Sequence, residues 1–254
     1  MGLEVYQHPR YYEVAYGFVD PPKQVDLFEA FIRKHSKIDA RRVLDVCCGP
    51  APQLREFARR GYASAGLDCS RPMLDYLRKA ASGEGVKVQT VEADMRDFSL
   101  KQQVDFAYTL LGSIHYVGDN QGLLAHLSSL ARALRPGGLY LIENMSIHWA
   151  SVDFSKPLVW DMERDGIKVR TTYHAELADA LEQTIVQTID LCVDDNGSNV
   201  RLTQRNEAKL FFPQEFRTIV ELHRQFDFLG FFERETTNPL TEATMDNTVL
   251  LRKR

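Results

Sequence analysis

Hydrophobic and polar positions alternate with two different periods between residues 42 and 143. Short apolar runs bounded by turn residues predict buried strands, and apolar residues spaced three or four apart predict helices. Strands are predicted at residues 42–46, 62–67, 86–92, 104–110 and 139–143, with helices at 53–60, 71–81 and 119–134. Strands and helices that alternate in this way indicate a parallel sheet covered by helices on both faces.

The pattern changes after residue 150, where polar and apolar positions alternate over long stretches. Such alternation is typical of an antiparallel sheet with one solvent-exposed face, and Asp165-Gly166 and Asn196-Gly197 are typical of hairpin turns. Strands are predicted at residues 157–164, 167–177, 183–194, 199–210, 228–236 and 246–252, with a helix at 213–224. The predicted fold class is therefore α/β, with a Rossmann-like, mostly parallel seven-stranded sheet and an antiparallel β insert after strand five.

These patterns divide the chain into three regions. Residues 1–40 form a predicted helical cap, in which Pro21-Pro22 break the helical stretch 5–36 in two. Residues 41–150 and 211–254 form the predicted core, and residues 151–210 form the insert. We expect the insert to serve as a roof over a substrate, as a dimer surface, or as both.

Of the 254 residues, 44% are hydrophobic and 26% charged, as in a soluble globular protein. The net charge of −4, spread over 35 acidic and 31 basic residues, disfavours nucleic acid as a partner. Neither a membrane-length apolar stretch nor a secretory leader is evident, so we expect a cytoplasmic protein without a membrane partner. The four cysteines lack metal-ligand spacing, which predicts no metal site, and Cys47, Cys48 and Cys192 are expected to pack rather than react.

The segment VLDVCCGPAP at residues 43–52 is a predicted strand that ends in a turn of small residues before a helix. This arrangement brings backbone N–H groups and a helix N-terminus to a ligand at the carboxyl edge of a sheet. Asp68 ends the next predicted strand, where its carboxylate can accept hydrogen bonds from a ribose diol or only cap the following helix. A nicotinamide-binding turn would read G-x-G-x-x-G, whereas Gly49 is flanked by Cys47 and Ala51, which counts against a nicotinamide oxidoreductase. The segment predicts a site for a nucleoside-type cofactor.

Five segments together resemble the class I S-adenosylmethionine-dependent methyltransferases. They read VLDVCCGPAP at 43–52, GLDCSRPML at 66–74, EADMRDF at 92–98, DFAYTLLGSIHYV at 105–117 and LRPGGLYLIE at 134–143. The helical N-terminal segment and the antiparallel insert resemble the small-molecule branch, with sugar-amine and glycine or sarcosine N-methyltransferases as the nearest comparisons. The resemblance implies S-adenosylmethionine as the cofactor and a small molecule as the methyl acceptor.

The resemblance also implies where the methionine part of the cofactor lies. Asp45 would fix the turn or accept from the cofactor ammonium, and the backbone of Cys47 and Gly49 would face the ligand. Leu110 would lie under the methionine end. Tyr11 or Tyr16 would close over the cofactor carboxylate from the N-terminal helix.

The adenosine part would lie at the ends of the second and third predicted strands. Asp68 would accept from both ribose hydroxyls, and Cys69 and Met73 would flank the adenine. Asp94 would accept from the adenine amino group, or be only a solvent-facing acid, and the Met95 N–H would donate to a ring nitrogen. Arg96 would assist at the cofactor carboxylate or pair with Asp97 at the surface.

The acceptor pocket is expected after the fourth predicted strand, at His115 and Tyr116. These are the catalytic candidates: His115 could take a proton as the methyl arrives, or could only form a pocket wall. Further candidates are His148, Tyr173 and His174, and the aromatic residues that could line the pocket or pack in the core are Phe154, Trp160, Tyr173, Phe211 and Phe212.

The predicted function is methyl transfer to a nitrogen or oxygen of a small molecule by in-line displacement, with alignment as the main catalytic effect. The family carries glycine where this chain has Cys47 and Ala51, and each adds a side chain where backbone approaches the ligand. The alternative is therefore a catalytically inactive methyltransferase-fold protein that acts as a binding or regulatory subunit. A homodimer is expected by analogy.

Overall fold

The computed structural model describes residues 4–144, 156–242 and 246–254. A short 3-10 turn, Val5–Gln7, precedes helices α1, Pro9–Ala15, and α2, Pro21–His35. Pro21 occupies the first position of α2, where its missing N–H costs nothing, and the Asp20 side chain accepts from the Lys23 N–H at 3.2 Å. The predicted break of the helical segment at Pro21-Pro22 is confirmed.

Strands and helices alternate through the central region, as the apolar pattern predicts. Their bounds are β1 Arg42–Val46, α3 Pro52–Arg59, β2 Ala63–Asp68, α4 Arg71–Gly83, β3 Val88–Glu92, β4 Val104–Thr109, α5 Asn120–Ala133 and β5 Leu134–Glu143. The largest departure from the prediction is the start of β5. Leu134 already pairs with Val104, and the residues that follow bulge before regular pairing resumes at Leu139.

The predicted insert is a four-stranded antiparallel sheet of order β6-β7-β8-β9. The elements after β5 are β6 Leu158–Arg164, β7 Ile167–Asp179, β8 Thr184–Asp195, β9 Ser198–Lys209, α6 Pro213–His223, β10 Phe226–Glu233 and β11 Asn247–Lys253. Asp165 and Asn196 have φ angles of 52° and 53°, which confirms the predicted hairpin turns. Cys192 is exposed rather than packed, because strand alternation buries its neighbours Leu191 and Val193 on the opposite face.

The large sheet has seven strands in the order β10-β11-β5-β4-β1-β2-β3. Strand β11 is antiparallel to both of its neighbours, and the strands from β5 to β3 are parallel. The chain continues from β1 to one side and returns to β4 on the other. A crevice at the carboxyl ends of these two strands is the usual ligand site in such sheets. The predicted fold class is confirmed.

Helices cover both faces of this sheet, with α2, α3 and α4 on one face and α5 and α6 on the other. Helix α1 packs instead on the insert, where Val14 and Ala15 contact an apolar cluster that includes Ile167, Ile189 and Leu191. Helix α1 and the insert therefore share one core, whereas α2 belongs to the core of the large sheet. Among the described helices none is long and apolar enough to cross a membrane, and the described residues include no His, Cys, Asp or Glu cluster that could hold a metal ion.

Candidate functional site

The turn after β1 has the backbone of a glycine-rich turn. Cys47, Gly49 and Ala51 have φ angles of 60°, 51° and 49°. This left-handed region is open to glycine and costs other residues roughly 1–2 kcal/mol each. A side chain at Gly49 would lie 4.0 Å from Met73 Sδ and from Tyr12 Cε1, so it would enter the space that these residues enclose. The turn therefore leaves room for a ligand at Gly49.

Asp68 joins this turn to the start of α4. Its Oδ2 accepts from the Gly49 N–H and its Oδ1 from the Ser70 N–H, both at 2.8 Å. Burial raises the pKa of Asp68, and the backbone hydrogen bonds oppose that shift. Each carboxylate oxygen keeps a second lone pair, so Asp68 can hold the loops and still accept from a ligand.

A cavity of about 360 Å³ lies at this edge of the sheet, and we call it the Asp68 cavity. Its size is within the range of small-ligand pockets. Seven residues predicted to bind the cofactor line it: Cys47, Gly49, Asp68, Cys69, Met73, Asp94 and Met95. Other parts of the chain complete the wall, namely Tyr6, Tyr12, Ser70, Ala93, Ser113, Tyr116, Arg205, Asn206 and Glu207. Residues 205–207 belong to β9, so the insert forms part of the cavity wall.

The Arg96 side chain pairs with Asp94 rather than with Asp97. Its Nε donates to Asp94 Oδ1 at 3.0 Å and its Nη2 to Asp94 Oδ2 at 2.6 Å. This contact holds the pKa of Asp94 below its usual range and raises that of Arg96. Arg96 is not among the residues that line the Asp68 cavity, so its proposed contact with a cofactor carboxylate has no support in the geometry.

Asp45 and Leu110 lie beside the Asp68 cavity rather than on its wall. They line a small cavity of about 70 Å³, which also touches Cys47, Gly49 and Tyr16. Asp45 is buried, and burial raises the pKa of its carboxyl group. The small cavity extends the site toward the end of β4, where the methionine part of the cofactor was predicted.

The structure corrects the predicted placement of Tyr11. Its hydroxyl donates to Asp195 Oδ2 at 3.1 Å, so its side chain faces the insert hairpin. The next residue on α1, Tyr12, lines the Asp68 cavity, and Tyr16, one helical turn further, lines the neighbouring cavity described below. Of the two predicted alternatives, Tyr11 faces away from the cavities, whereas Tyr16 lines that neighbouring cavity and the small cavity beside Asp45.

A second cavity, of about 570 Å³, opens next to the first, and we call it the His115 cavity. The two share Tyr6, Tyr12, Ser113 and Tyr116. The sequence-predicted residues on its wall are Tyr16, His115, Tyr116, Trp160, Tyr173 and His174. Phe211 packs in the core and Phe212 precedes α6, and neither lines this cavity. His148 and Phe154 lie outside the described residues.

His115 is held by two main-chain carbonyl groups. Its Nδ1 lies 2.7 Å from the Lys209 oxygen and its Nε2 lies 2.9 Å from the Asn144 oxygen. Both ring nitrogens therefore point at main-chain oxygens rather than at a bound acceptor. In the neutral imidazole one nitrogen donates to its carbonyl group, and the lone pair of the other faces the second carbonyl oxygen. Burial also lowers the pKa of His115. The geometry supports the pocket-wall interpretation of His115 rather than the general-base interpretation.

Tyr116 stands between the two cavities. Its hydroxyl donates to Gln187 Oε1 at 3.0 Å and accepts from Asn206 Nδ2 at 3.3 Å. Burial raises the pKa of Tyr116, so the phenol stays protonated at neutral pH. The residue is fixed as a neutral wall and is not suited to act as a base.

Comparison with known proteins agrees with this architecture. Residues 43–138 match the family model described as "Methyltransferase domain". The chain is 29% identical to dTDP-3-amino-3,4,6-trideoxy-alpha-D-glucopyranose N,N-dimethyltransferase of Streptomyces venezuelae, over 54% of this chain and 56% of the relative. It is 30% identical to the cypemycin N-terminal methyltransferase of a Streptomyces species, over 45% of this chain and 46% of the relative. The chain thus spans about half the length of these two relatives.

Solved structures extend the likeness of fold to nearly the whole chain. An S-adenosylmethionine-dependent methyltransferase from Clostridium acetobutylicum superposes with a TM-score of 0.80 at 16% identity, covering 96% of each chain. The amino pentose methyltransferase CalS10 from Micromonospora echinaspora superposes with a TM-score of 0.74 at 19% identity, again covering 96% of each chain. The predicted family resemblance is confirmed: the chain contains a methyltransferase domain, over residues 43–138, within the fold of the S-adenosylmethionine-dependent methyltransferases.

Proposed function

We propose that this protein transfers a methyl group from S-adenosylmethionine to a nitrogen of a small-molecule acceptor. The observation that carries the proposal is the pair of adjoining cavities at the carboxyl edge of the sheet. The Asp68 cavity is lined by seven of the predicted cofactor residues, including the Asp68 carboxylate and Gly49, which has no side chain to fill it. The His115 cavity is large enough for a separate small molecule. The two relatives named above act on amines, which favours nitrogen over oxygen as the receiving atom.

In this proposal Asp68 binds the ribose of the cofactor with its free lone pairs, while Gly49 leaves space for the chain that links ribose to methionine. Tyr12, Tyr116 and Ser113 lie on both cavities and thus border the point where the reactants meet. S-adenosylmethionine supplies an electrophilic methyl group on a sulfonium sulfur. The protein residues then contribute alignment and exclusion of water, and a neutral amine needs no base to attack.

The alternative of an inactive binding subunit rested on Cys47 and Ala51. Both residues adopt the left-handed backbone that glycine would supply, and the Asp68 cavity remains open at about 360 Å³. The side chains therefore do not fill the ligand space, and the active-enzyme proposal is the better supported of the two.

Calorimetric titration with S-adenosylmethionine, S-adenosylhomocysteine and NAD tests the proposal, using Asp68→Asn as the variant. We expect both adenosyl compounds to bind the wild type and NAD to give no detectable binding. Asp68→Asn should weaken adenosyl binding by about 1.5–3 kcal/mol, because an amide replaces a charged acceptor. Asp97→Asn, whose side chain is 95% exposed, is the matched control.

Unfolding scans of both variants separate a binding defect from a folding defect, since Asp68 also accepts two backbone hydrogen bonds. Unchanged adenosyl affinity in a folded Asp68→Asn protein would remove the ribose assignment. Binding of NAD without the adenosyl compounds would overturn the proposed function. Mass spectrometry of amine acceptors incubated with S-adenosylmethionine then tests transfer itself.

A further inference from the structure

The wall of the His115 cavity carries six tyrosine and tryptophan rings. Its aromatic residues come from the N-terminal segment, from the turn after β4 and from the insert: Tyr6, Tyr12, Tyr16, Tyr116, Trp160 and Tyr173. The centroids of the Tyr12 and Tyr16 rings lie 4.5 Å apart. The centroids of the Tyr16 and Trp160 rings lie 5.8 Å apart, and the planes of these two rings meet at 66°. Tilted and edge-to-face contacts are favourable ring arrangements, so these three rings form one packed aromatic cluster on the cavity wall.

Hydrogen bonds hold two of these rings in place. The Trp160 indole N–H donates to the Ala15 carbonyl at 2.7 Å, which ties β6 to the end of α1. The Tyr116 hydroxyl donates to Gln187 on β8 at 3.0 Å. The rings are therefore ordered before a ligand arrives, and a ligand does not have to supply the free energy that would order them.

Charged groups are scarce on the same wall. Its described charged residues are Lys156 and Asp246, and its described histidines are His115 and His174. Arginine does not line it in the described part of the chain, and the sequence of residues 145–155 contains neither Arg nor Lys. A diphosphate group needs several cationic or N–H donors to replace its hydration, and arginine is the residue best suited to that task. The His115 cavity is poorly equipped for a nucleoside diphosphate.

Aromatic ring faces attract positive charge rather than the negative charge of a diphosphate group. As the acceptor nitrogen bonds to the methyl carbon, the carbon–sulfur bond breaks, the sulfur keeps the electron pair, and the nitrogen becomes positive until it loses a proton to water. A cation over a tyrosine or tryptophan face is attracted by the ring quadrupole, and the attraction strengthens where water is excluded. The wall can therefore stabilise the charge that develops during transfer.

We propose that the His115 cavity selects a small amine that carries no phosphate, and that the faces of Trp160 and the neighbouring tyrosines hold the positive charge on its nitrogen. This inference rests on the proposed function, because it assigns the acceptor class of the same site. It separates this protein from its Streptomyces venezuelae relative, whose name specifies a dTDP-linked amino sugar.

The test uses protein saturated with S-adenosylhomocysteine, so that the acceptor side alone is probed. Choline and its uncharged carbon isostere dimethylbutanol differ in one atom, nitrogen or carbon, and thereby in charge. We expect choline to bind about tenfold more tightly in calorimetric titration, and thymidine diphosphate not to compete with it. Tighter binding of dimethylbutanol, equal binding of the two, or displacement of choline by thymidine diphosphate would overturn the inference.

Substitution at Trp160 assigns the preference to the aromatic wall. Trp160→Leu should abolish the preference for choline, and Trp160→Phe should retain most of it, because phenylalanine keeps a π face. Leu181→Ala is the control, since Leu181 is 91% exposed at the turn between β7 and β8. A preference that survives Trp160→Leu in full would overturn the role of Trp160. Failure of S-adenosylhomocysteine to bind the wild type would instead count against the proposed function.

Discussion

Glu13 on α1 is buried among donors from three other elements. Its carboxylate is paired with Arg55 on α3, and its Oε2 accepts from the Tyr76 hydroxyl on α4 at 2.6 Å and from Arg164 Nη2 on β6 at 2.7 Å. The residue is 8% exposed, and Arg55 is 7% exposed. Because Tyr12 is the adjacent residue on α1, this cluster fixes one wall of both cavities.

We predict that Glu13→Gln lowers the free energy of unfolding by about 3 kcal/mol. Removal of one member of a buried ion pair costs about 3–5 kcal/mol, because the partner is left as an uncompensated charge. The lower end of this range applies here because Arg55 also pairs with Glu84, which still compensates part of its charge. The same substitution loosens α1, so we expect the affinity for S-adenosylhomocysteine to fall as well.

Urea unfolding followed by circular dichroism measures the first effect, and calorimetry measures the second. The control is Asp26→Asn, which removes an ion pair to Arg60 from a side chain that is 68% exposed. We expect that control to change stability by less than about 1 kcal/mol. Equal effects of the two variants, or a Glu13→Gln loss below about 1 kcal/mol, would refute the reasoning.

Three further predictions concern the core and the turn. Gly66→Ala should lower the free energy of unfolding in urea by about 1–3 kcal/mol, because the new Cβ would lie 2.8 Å from Cys48 Sγ and 2.9 Å from Leu77 Cδ2. Cys47→Gly should change stability by less than about 1 kcal/mol, since relief of the left-handed strain offsets the greater flexibility of glycine in the unfolded chain. Its S-adenosylhomocysteine affinity should stay close to that of the wild type, and a rise above about tenfold would show that Cys47 obstructs the Asp68 cavity. Burial lowers the pKa of His126 to about 4. His126 therefore binds a proton more readily in the unfolded chain than in the folded protein. Its contribution to the free energy of unfolding is complete above about pH 6.5 and is lost as the pH falls toward 4, by about 3 kcal/mol in all. Comparison of wild type and His126→Gln in urea at several pH values checks this, and parallel pH profiles would contradict it.

The fold was largely predictable because its signals are local. Strands β1, β2 and β4 are short, mostly apolar runs, and the hairpins of the insert contain Asp165-Gly166 and Asn196-Gly197, so neighbouring residues alone define these elements. The residues of the Asp68 cavity that follow β1, β2 and β3 were likewise predictable, since parallel strands bring their carboxyl ends to one edge.

The parts that escaped prediction depend on contacts between distant segments. Tyr6 and Arg205 meet at the Asp68 cavity, yet nothing near either residue marks it as a ligand wall. Glu13 and Arg164 lie 151 positions apart and are ordinary charged residues in their local sequences. His115 matched a plausible base by position, and its nitrogens are seen to point away from an acceptor only once the carbonyl groups of Lys209 and Asn144 are placed beside them.

The contact of α1 with the insert has a consequence for how the chain matures on the ribosome. Arg164 is synthesised 151 residues after Glu13, a delay of roughly 8–30 s at ordinary elongation rates. During that interval α1 lacks the surface against which Val14 and Ala15 pack, whereas the strands β1 to β5 have all been synthesised and can pair with one another. The nascent chain can thus form its central sheet first and closes its ligand cavities only after the insert emerges.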